Sequence, residues 1–393
     1  MSNVKMETAG FSESLRLSDR LRLHMKRSAF DKTPYEFLPQ DTLDSIITEA
    51  IVRHAMAFTE STPEASALIA YILVEAKRVF ATAVYIGLEP DTLYNTMVLF
   101  RNTKFSDNRL PLEVMRQEQL MKCFVSGRGH PLSELEARIQ DDAKRIWTPL
   151  RVHDFSKKQF KFLAPVVRLG KRDHNFGNLI LPFVRKHAAQ NEGSFGMVSY
   201  YEIHSDHFEV PQEQKPTPSS IWAVKRFEIV QGSDHKEVTQ RWASEINTLA
   251  TVSTLNQNHI VRFIAAFSRG TLEEPEHYLV TELADGGNLR DLWRSMPNPP
   301  LQPLLMKTAV GNLRGLVEAL SAIHRPISNE AQTYTNWRHG DLKPENILWF
   351  RDGGAFGTLK MCDFGEAKGH QAVTAMRNAQ HNSSLRHSAL RAT

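Results

Sequence analysis

Apolar residues recur along this chain at two different periods, and the period changes near the middle. In the first half the steps are of three and four. Leu43, Ile46, Ile47, Ala50, Ile51, His54 and Phe58 therefore share one helical face. Asp41 stands where a cap for that helix is expected. Thr62-Pro63 predicts a second helix start, because proline costs least at the first helical position. The run ASALIAYILVEAKRVFATAVYIG, ending at Gly87, is apolar almost all round and predicts one central helix buried by its neighbours. LEVMRQEQLMKCF is amphipathic, and Ser133 with Glu136 reads as a capping box for a helix through Ile146. In the second half the apolar runs are short and separated by polar stretches. LPFVRKHAAQ, SYYEIH, IWAVK, NHIVRFIAAF and EHYLVTEL read as strands. WASEINTLATV, GGNLRDLW and AVGNLRGLVEALSAIH read as helices. HSDHFEVPQEQKPTPSS and RPISNEAQTYTNW read as polar connections.

The chain has 393 residues, room for two or three domains, and its 41% hydrophobic and 23% charged fractions are those of a globular protein. A net charge of +4 is spread among interleaved acids, so a solvated surface is expected and no nucleic-acid partner. The two cysteines, Cys123 and Cys362, lie far apart in no ligand pattern, which points to a reducing compartment. The polar N-terminus lacks a signal core, and no apolar run is long enough to span a bilayer. A cytoplasmic or nuclear location with no membrane partner is expected. Residues 1–12 are expected to be disordered, 13–150 to form an all-helical region, 151–178 a linker and 179–393 a second domain. The helical region shows no metal cluster, nucleophile pair or phosphate loop, and His54 reads as a core histidine. By elimination its expected role is interaction, with a protein partner, or regulation.

Candidate chemistry gathers in the second domain. HGDLKPENIL places Asp341, Lys343 and Asn346 in one short loop before the apolar run Ile347-Leu348-Trp349-Phe350. Asp341 can accept a proton from a hydroxyl, Lys343 can hold a phosphate oxygen, and Asn346 can bind a metal through its carbonyl. Asp363 follows on a second loop, in Cys362-Asp363-Phe364-Gly365. Two acids on loops beside a strand pair suit magnesium-assisted phosphoryl transfer, which is mostly positioning and charge neutralisation.

HGDLKPEN followed by CDFG resembles the catalytic and magnesium loops of eukaryotic protein kinases, and KPEN resembles the serine/threonine branch. The resemblance implies an α+β, bilobal domain: a small β-rich lobe and a helical lobe, here incomplete, preceded by the all-α region. Similar helical segments precede kinase domains in some fungal proteins. Asn191, Gly193, Gly196 and Val198 match the Gly-rich loop, with Asn191 in place of its first glycine. Such a loop lets backbone N–H groups approach phosphates unobstructed. Ala223 and Lys225 match the V-A-I-K strand, so Lys225 is implied to hold the α- and β-phosphates. Glu245 is its candidate partner, and Glu237 is the alternative. The resemblance further implies Thr281 as gatekeeper and Glu282 to Ala284 as the adenine hinge. It places Asp285 or Asn288 at the ribose, and Val198, Ala223 and Leu348 around the adenine ring. Asp341, Lys343, Lys225 and Glu245 become the catalytic set, and Asn346 and Asp363 the metal ligands. ATP and Mg²⁺ are the implied cofactors, and a protein with a Ser/Thr acceptor the implied substrate.

Two departures shape the expectation. Gly340 replaces the arginine usual between His339 and Asp341, so activity is expected not to depend on phosphorylation of the activation segment. After DFG the chain runs EAKGHQAVTAMRNAQHNSSLRHSALRAT, without the A-P-E signature, and apolar surface of the last helix is expected to lie uncovered. The leading expectation is a serine/threonine protein kinase. The alternatives are a nucleotide-binding scaffold without catalysis and a small-molecule phosphotransferase, whose HGD loop is similar.

Overall fold

A computed structural model describes residues 16–112, 144–187, 192–193, 196–210, 221–229, 234–296, 302–325, 327–328, 334–352 and 356–371. The chain divides into two compact units. The first is Met1–Val166 with Leu179–Arg185 and Ile203–Glu209; the second is Val167–Asn178, Lys186–Glu202 and Val210–Thr393.

The first unit is mainly helical, and its helix boundaries differ from the sequence pattern where side chains from outside a helix intervene. The face from Leu43 to Phe58 belongs to two helices, Gln40–Ile46 and Glu49–Ala55. Thr48 is extended between them, which ends one ladder and starts another. Asp41 lies within the first turn, not at the cap, which is Pro39. The break rotates the second helix, so His54 is exposed and is not a core histidine. Thr62 does cap Pro63–Glu75, its hydroxyl accepting from Ala65 N at 3.1 Å. The expected central helix divides at Ala76 into Pro63–Glu75 and Lys77–Tyr85. Asp107 causes the division, accepting from Arg78 N and Val79 N at 2.9 Å each and so capping the second helix from outside. Phe80, Phe100, Phe105, Trp147 and Phe155 fill the core, with Trp147 edge-on to Phe155 at 5.3 Å. Phe155 comes from the helix Pro149–Lys158, which Thr148 caps. Just beyond it, Gln159 is fully buried, donating to Leu112 O at 2.7 Å and Ser156 O at 2.9 Å and accepting from Leu112 N at 2.8 Å. The expected helix from Ser133, most of LEVMRQEQLMKCF, and the N-terminal 1–12 lie outside the described residues.

The second unit is built on an antiparallel sheet. Phe263–Gly270, Pro275–Glu282, Ile221–Phe227 and Gly196–Ile203 lie side by side in that order. His174–Asn175 adds to the outer side of Phe263–Gly270, in parallel. The helix His235–Ser253, capped by Asp234, places Ile246, Leu249 and Ala250 in the core with Phe263 and Leu279. Two helices follow, Leu289–Ser295 and Pro303–Ile323. RPISNEAQTYTNW is not simply a polar excursion: Ile327–Ser328 and Tyr334–Arg338 are strands, and the latter pairs with Lys368–Gln371. Trp337 supplies the aromatic bulk that a strand favours. The hairpin Ile347–Phe350 with Thr358–Met361 completes the unit. Pro303–Ile323 buries Leu316, Ala319 and Ile323, while Met306, Val310, Leu313 and Val317 are each more than half exposed. Among the described residues no helix is long and apolar enough to cross a membrane.

Gln159→Leu keeps the volume but leaves the N–H and C=O of Leu112 unpaired. A buried polar group without its partner costs about 1–3 kcal/mol. Thermal unfolding of the full chain is expected to show a first-unit transition at lower temperature; an unchanged transition contradicts this assignment.

Candidate active site

Strand alternation builds the upper wall of a cleft. Ala223 and Lys225 stand two apart on one strand and face the same side. Lys225 pairs with Val198 on one neighbour and Leu279 on the other; Ala223 pairs with Tyr200 and Thr281. All six residues line one cleft of about 360 Å³. The helix His235–Ser253 contributes Glu245 and, one turn later, Leu249 to the same cleft.

Lys225 Nζ lies 2.8 and 2.9 Å from the two oxygens of Glu245 and 3.2 Å from Asp363 Oδ1. The Glu245 side chain is 5% exposed and that of Lys225 15%. Burial pulls the ammonium pKa down, but the charges of Glu245 and Asp363 outweigh it and raise it overall. Burial lifts the Glu245 carboxyl above its usual range against the pull of Lys225, with Asp363 adding to the rise. Glu237 sits in the exposed first turn, where its N–H meets the Asp234 cap. Glu245, not Glu237, is thus the carboxylate at Lys225.

The lower wall is two loops tied to each other. His339 is buried, its Nε2 donating to Cys362 O at 2.9 Å, and its ring lies 4.8 Å from that of the fully buried Phe364. Burial lowers the His339 pKa, which favours the neutral ring. Cys362 N donates to Asn346 O at 2.9 Å. Asn346 Nδ2 donates to Asp341 O at 2.9 Å and to Asp341 Oδ2 at 3.0 Å, leaving its own carbonyl oxygen out of that pair of contacts. Lys343 Nζ sits 2.7 Å from Asp341 Oδ2. Its hydrogen bond is the main reason the Asp341 pKa is held below the usual carboxylate value. Gly340 has φ +83°, and a Cβ there would lie 2.3 Å from Glu366 O. No side chain, least of all an arginine, fits that position in this conformation.

Not every expected residue has the freedom the sequence suggested. Thr281, Glu282, Ala284 and Leu348 line the cleft. The Glu282 carboxylate, however, is held by Lys360 at 2.8 and 2.9 Å and by Arg262 N at 2.7 Å. Asn288 also lines the cleft, but its side-chain oxygen caps Leu289–Ser295, accepting from Asp291 N at 2.9 Å. The Asp285 carboxylate accepts from Arg351 N at 2.7 Å. Gly193 and Gly196 pair across a hairpin, whereas Asn191 lies outside the described residues. Tyr200, Leu279, Arg290, Asp291 and Arg294 line the cleft without having been singled out in the sequence. Period two from Val198 finds Tyr200, and a one-turn step relates Arg290 to Arg294. Among the described residues no three His, Cys, Asp or Glu side chains converge as a metal site.

Comparison with known proteins places the loops in a wider context. Residues 209–384 match the family described as protein kinase domain, a match that begins after the Gly193–Val198 hairpin. The chain is similar to the human serine/threonine-protein kinase DCLK3, at 26% identity over 189 residues. That alignment covers 41% of this chain and 26% of the relative, so the chain spans about a quarter of that protein's length.

Gly340→Ala tests the loop geometry. A left-handed φ costs a side-chain-bearing residue about 1–2 kcal/mol before the clash with Glu366 O is added. A lower melting temperature for the second unit is expected; an unchanged one means that this backbone is not held as described.

Proposed function

We propose, for a chain that residues 209–384 place in the protein kinase superfamily, that its cleft binds ATP with Mg²⁺ and directs the γ-phosphoryl to a serine or threonine of a protein substrate. The observation that carries this reading is the meeting of Lys225, Glu245 and Asp363 at the inner end of the cleft, beside the paired Asp341 and Asn346. Five polar side chains from four separate segments converge there, with no apolar purpose to explain them.

In this reading each side chain has a distinct task. Glu245 fixes the Lys225 ammonium, which takes the α- and β-phosphates. Asp363 and the carbonyl oxygen of Asn346 are hard oxygen donors of the kind Mg²⁺ takes, one or two from protein and the rest from phosphates and water. The donor set therefore fits. Bound Mg²⁺ would neutralise developing phosphate charge. Asp341, kept ionised by Lys343, accepts the hydrogen bond of the acceptor hydroxyl and orients it. Lys343 steadies the transferred group. Val198, Ala223 and Leu348 offer apolar surface to the adenine, and backbone groups from Glu282 to Ala284 its edge. Of the two ribose candidates only Asn288 lines the cleft, and its cap contact uses the side-chain oxygen, which leaves the amide nitrogen for the sugar.

Phosphate incorporation into a generic protein substrate is the direct test. Asp341→Asn is expected to lower transfer by about 10² or more, with nucleotide affinity within about threefold of the parent. Nucleotide binding with no transfer by the parent chain would favour the scaffold reading instead. Transfer to small alcohols but not to protein would favour the phosphotransferase reading.

The Gly340 geometry gives a second expectation. With no side chain at this position to pair with a phosphorylated segment, phosphatase treatment should leave transfer within about twofold. Complete loss after treatment contradicts it.

A further inference from the structure

The two strands that carry the Gly193–Gly196 hairpin are rooted in the first unit. Phe183–His187 passes from the first unit to the second after Arg185, and Gly196–Ile203 returns to the first at Ile203. Among the described residues Phe183–His187 is the last strand of its sheet and pairs with one neighbouring strand, Gly196–Ile203. A strand held along one edge opens locally unless other contacts fix it. Beyond Val184 it offers little to bury, since Arg185 and Lys186 are exposed.

The fixing lies at the roots, and the helical region supplies it. Phe183 is fully buried; its carbonyl accepts from Ala29 N at 2.6 Å, and its ring lies 4.9 Å from that of Phe30. Ile180 packs with Ala164 and the fully buried Phe37, and Val184 closes that cluster. The returning strand ends on the same ring: His204 and His207 meet Phe37 edge-on, at 6.1 and 5.3 Å. His207 Nδ1 donates to Pro165 O at 3.1 Å, and burial lowers its pKa to about 4, so the ring packs uncharged at pH 7. His204 N donates to Pro182 O at 2.9 Å, which ties the two roots to each other. Phe37 is held from both sides in sequence. Leu38 N donates to Lys161 O at 2.7 Å, and Lys161 Nζ lies 3.0 Å from the Glu36 carboxylate.

We propose that Phe37 is a positioning residue for the hairpin: its cluster clamps both roots, so that Gly193 and Gly196 are held ready for the phosphates, and it governs nucleotide affinity without touching nucleotide. The effect on nucleotide rests on the function proposed above; the clamp does not. The helical region then supports the nucleotide site through two continuous strands. The test uses the full chain, first without nucleotide, and follows amide hydrogen exchange in 183–187 and 196–203. Phe37→Ala removes the ring and leaves a cavity, and exchange in both strands is expected to rise at least tenfold. Leu68→Ala, in the separate main core of the same unit, is the control for lost stability and is expected to leave both strands within twofold of the parent. Phe37→Leu keeps most of the apolar volume and should fall between, and it decides the matter where Phe37→Ala does not fold. Unchanged exchange in the Phe37 variants, or an equal rise in Leu68→Ala, overturns the clamp. Affinity for a fluorescent ATP analogue with Mg²⁺ is then compared. The Phe37 variants should bind at least fivefold more weakly and Leu68→Ala within twofold of the parent; equal affinity throughout overturns the positioning role. If the parent itself does not bind the analogue, the nucleotide reading fails, while the exchange series still decides the clamp.

Discussion

A lysine withdrawn from water between two carboxylates is the constraint on which the second unit depends. Lys225 comes from a strand, Glu245 from a helix and Asp363 from a loop more than a hundred residues further on. Each charge is costly to bury alone, and removing one partner from a buried pair costs about 3–5 kcal/mol. The cluster is therefore stable only when strand, helix and loop are all in place. Packing of Ile246, Leu249 and Ala250 on the sheet sets the helix, and the strand register sets Lys225.

The loop that carries Asp363 is positioned by a different device. The His339 ring and the Asn346 backbone both bond the backbone of Cys362, and Phe364 packs against the His339 ring. The pairing of Tyr334–Arg338 with Lys368–Gln371 brings Glu366 across Gly340, which excludes a side chain there. The missing arginine is thus a consequence of how closely the two segments approach. Asp341 takes its orientation from the same loop, through Asn346 and Lys343.

Much of this was legible in the sequence, for physical reasons. Resemblance to the Gly-rich loop and the V-A-I-K strand picked out Val198, Ala223 and Lys225, which the strand register brings together, and the helical pattern of WASEINTLATV put Glu245 one turn from Leu249. What escaped were effects set by contacts distant in sequence. Asp107 splits the apolar run at Ala76, and nothing within that run announces it. The turn at Thr48 sends His54 to solvent although its spacing marks it as core. Asn288 and Asp285 were free candidates in the sequence; a helix cap and the Arg351 backbone engage their oxygens. Local periodicity reports which face a residue occupies, not which polar groups are already satisfied there.

The account stands on Lys225 being the group that holds nucleotide phosphates, and the melting temperature of the second unit with and without Mg-ATP reads this most directly. A ligand bound only by the folded chain raises that temperature, and the stabilisation grows as the logarithm of one plus its concentration over Kd. The expected result is a rise of several degrees for the parent chain at saturating Mg-ATP and none for Lys225→Met. An equal rise in both proteins, with the variant otherwise folded, would contradict the account.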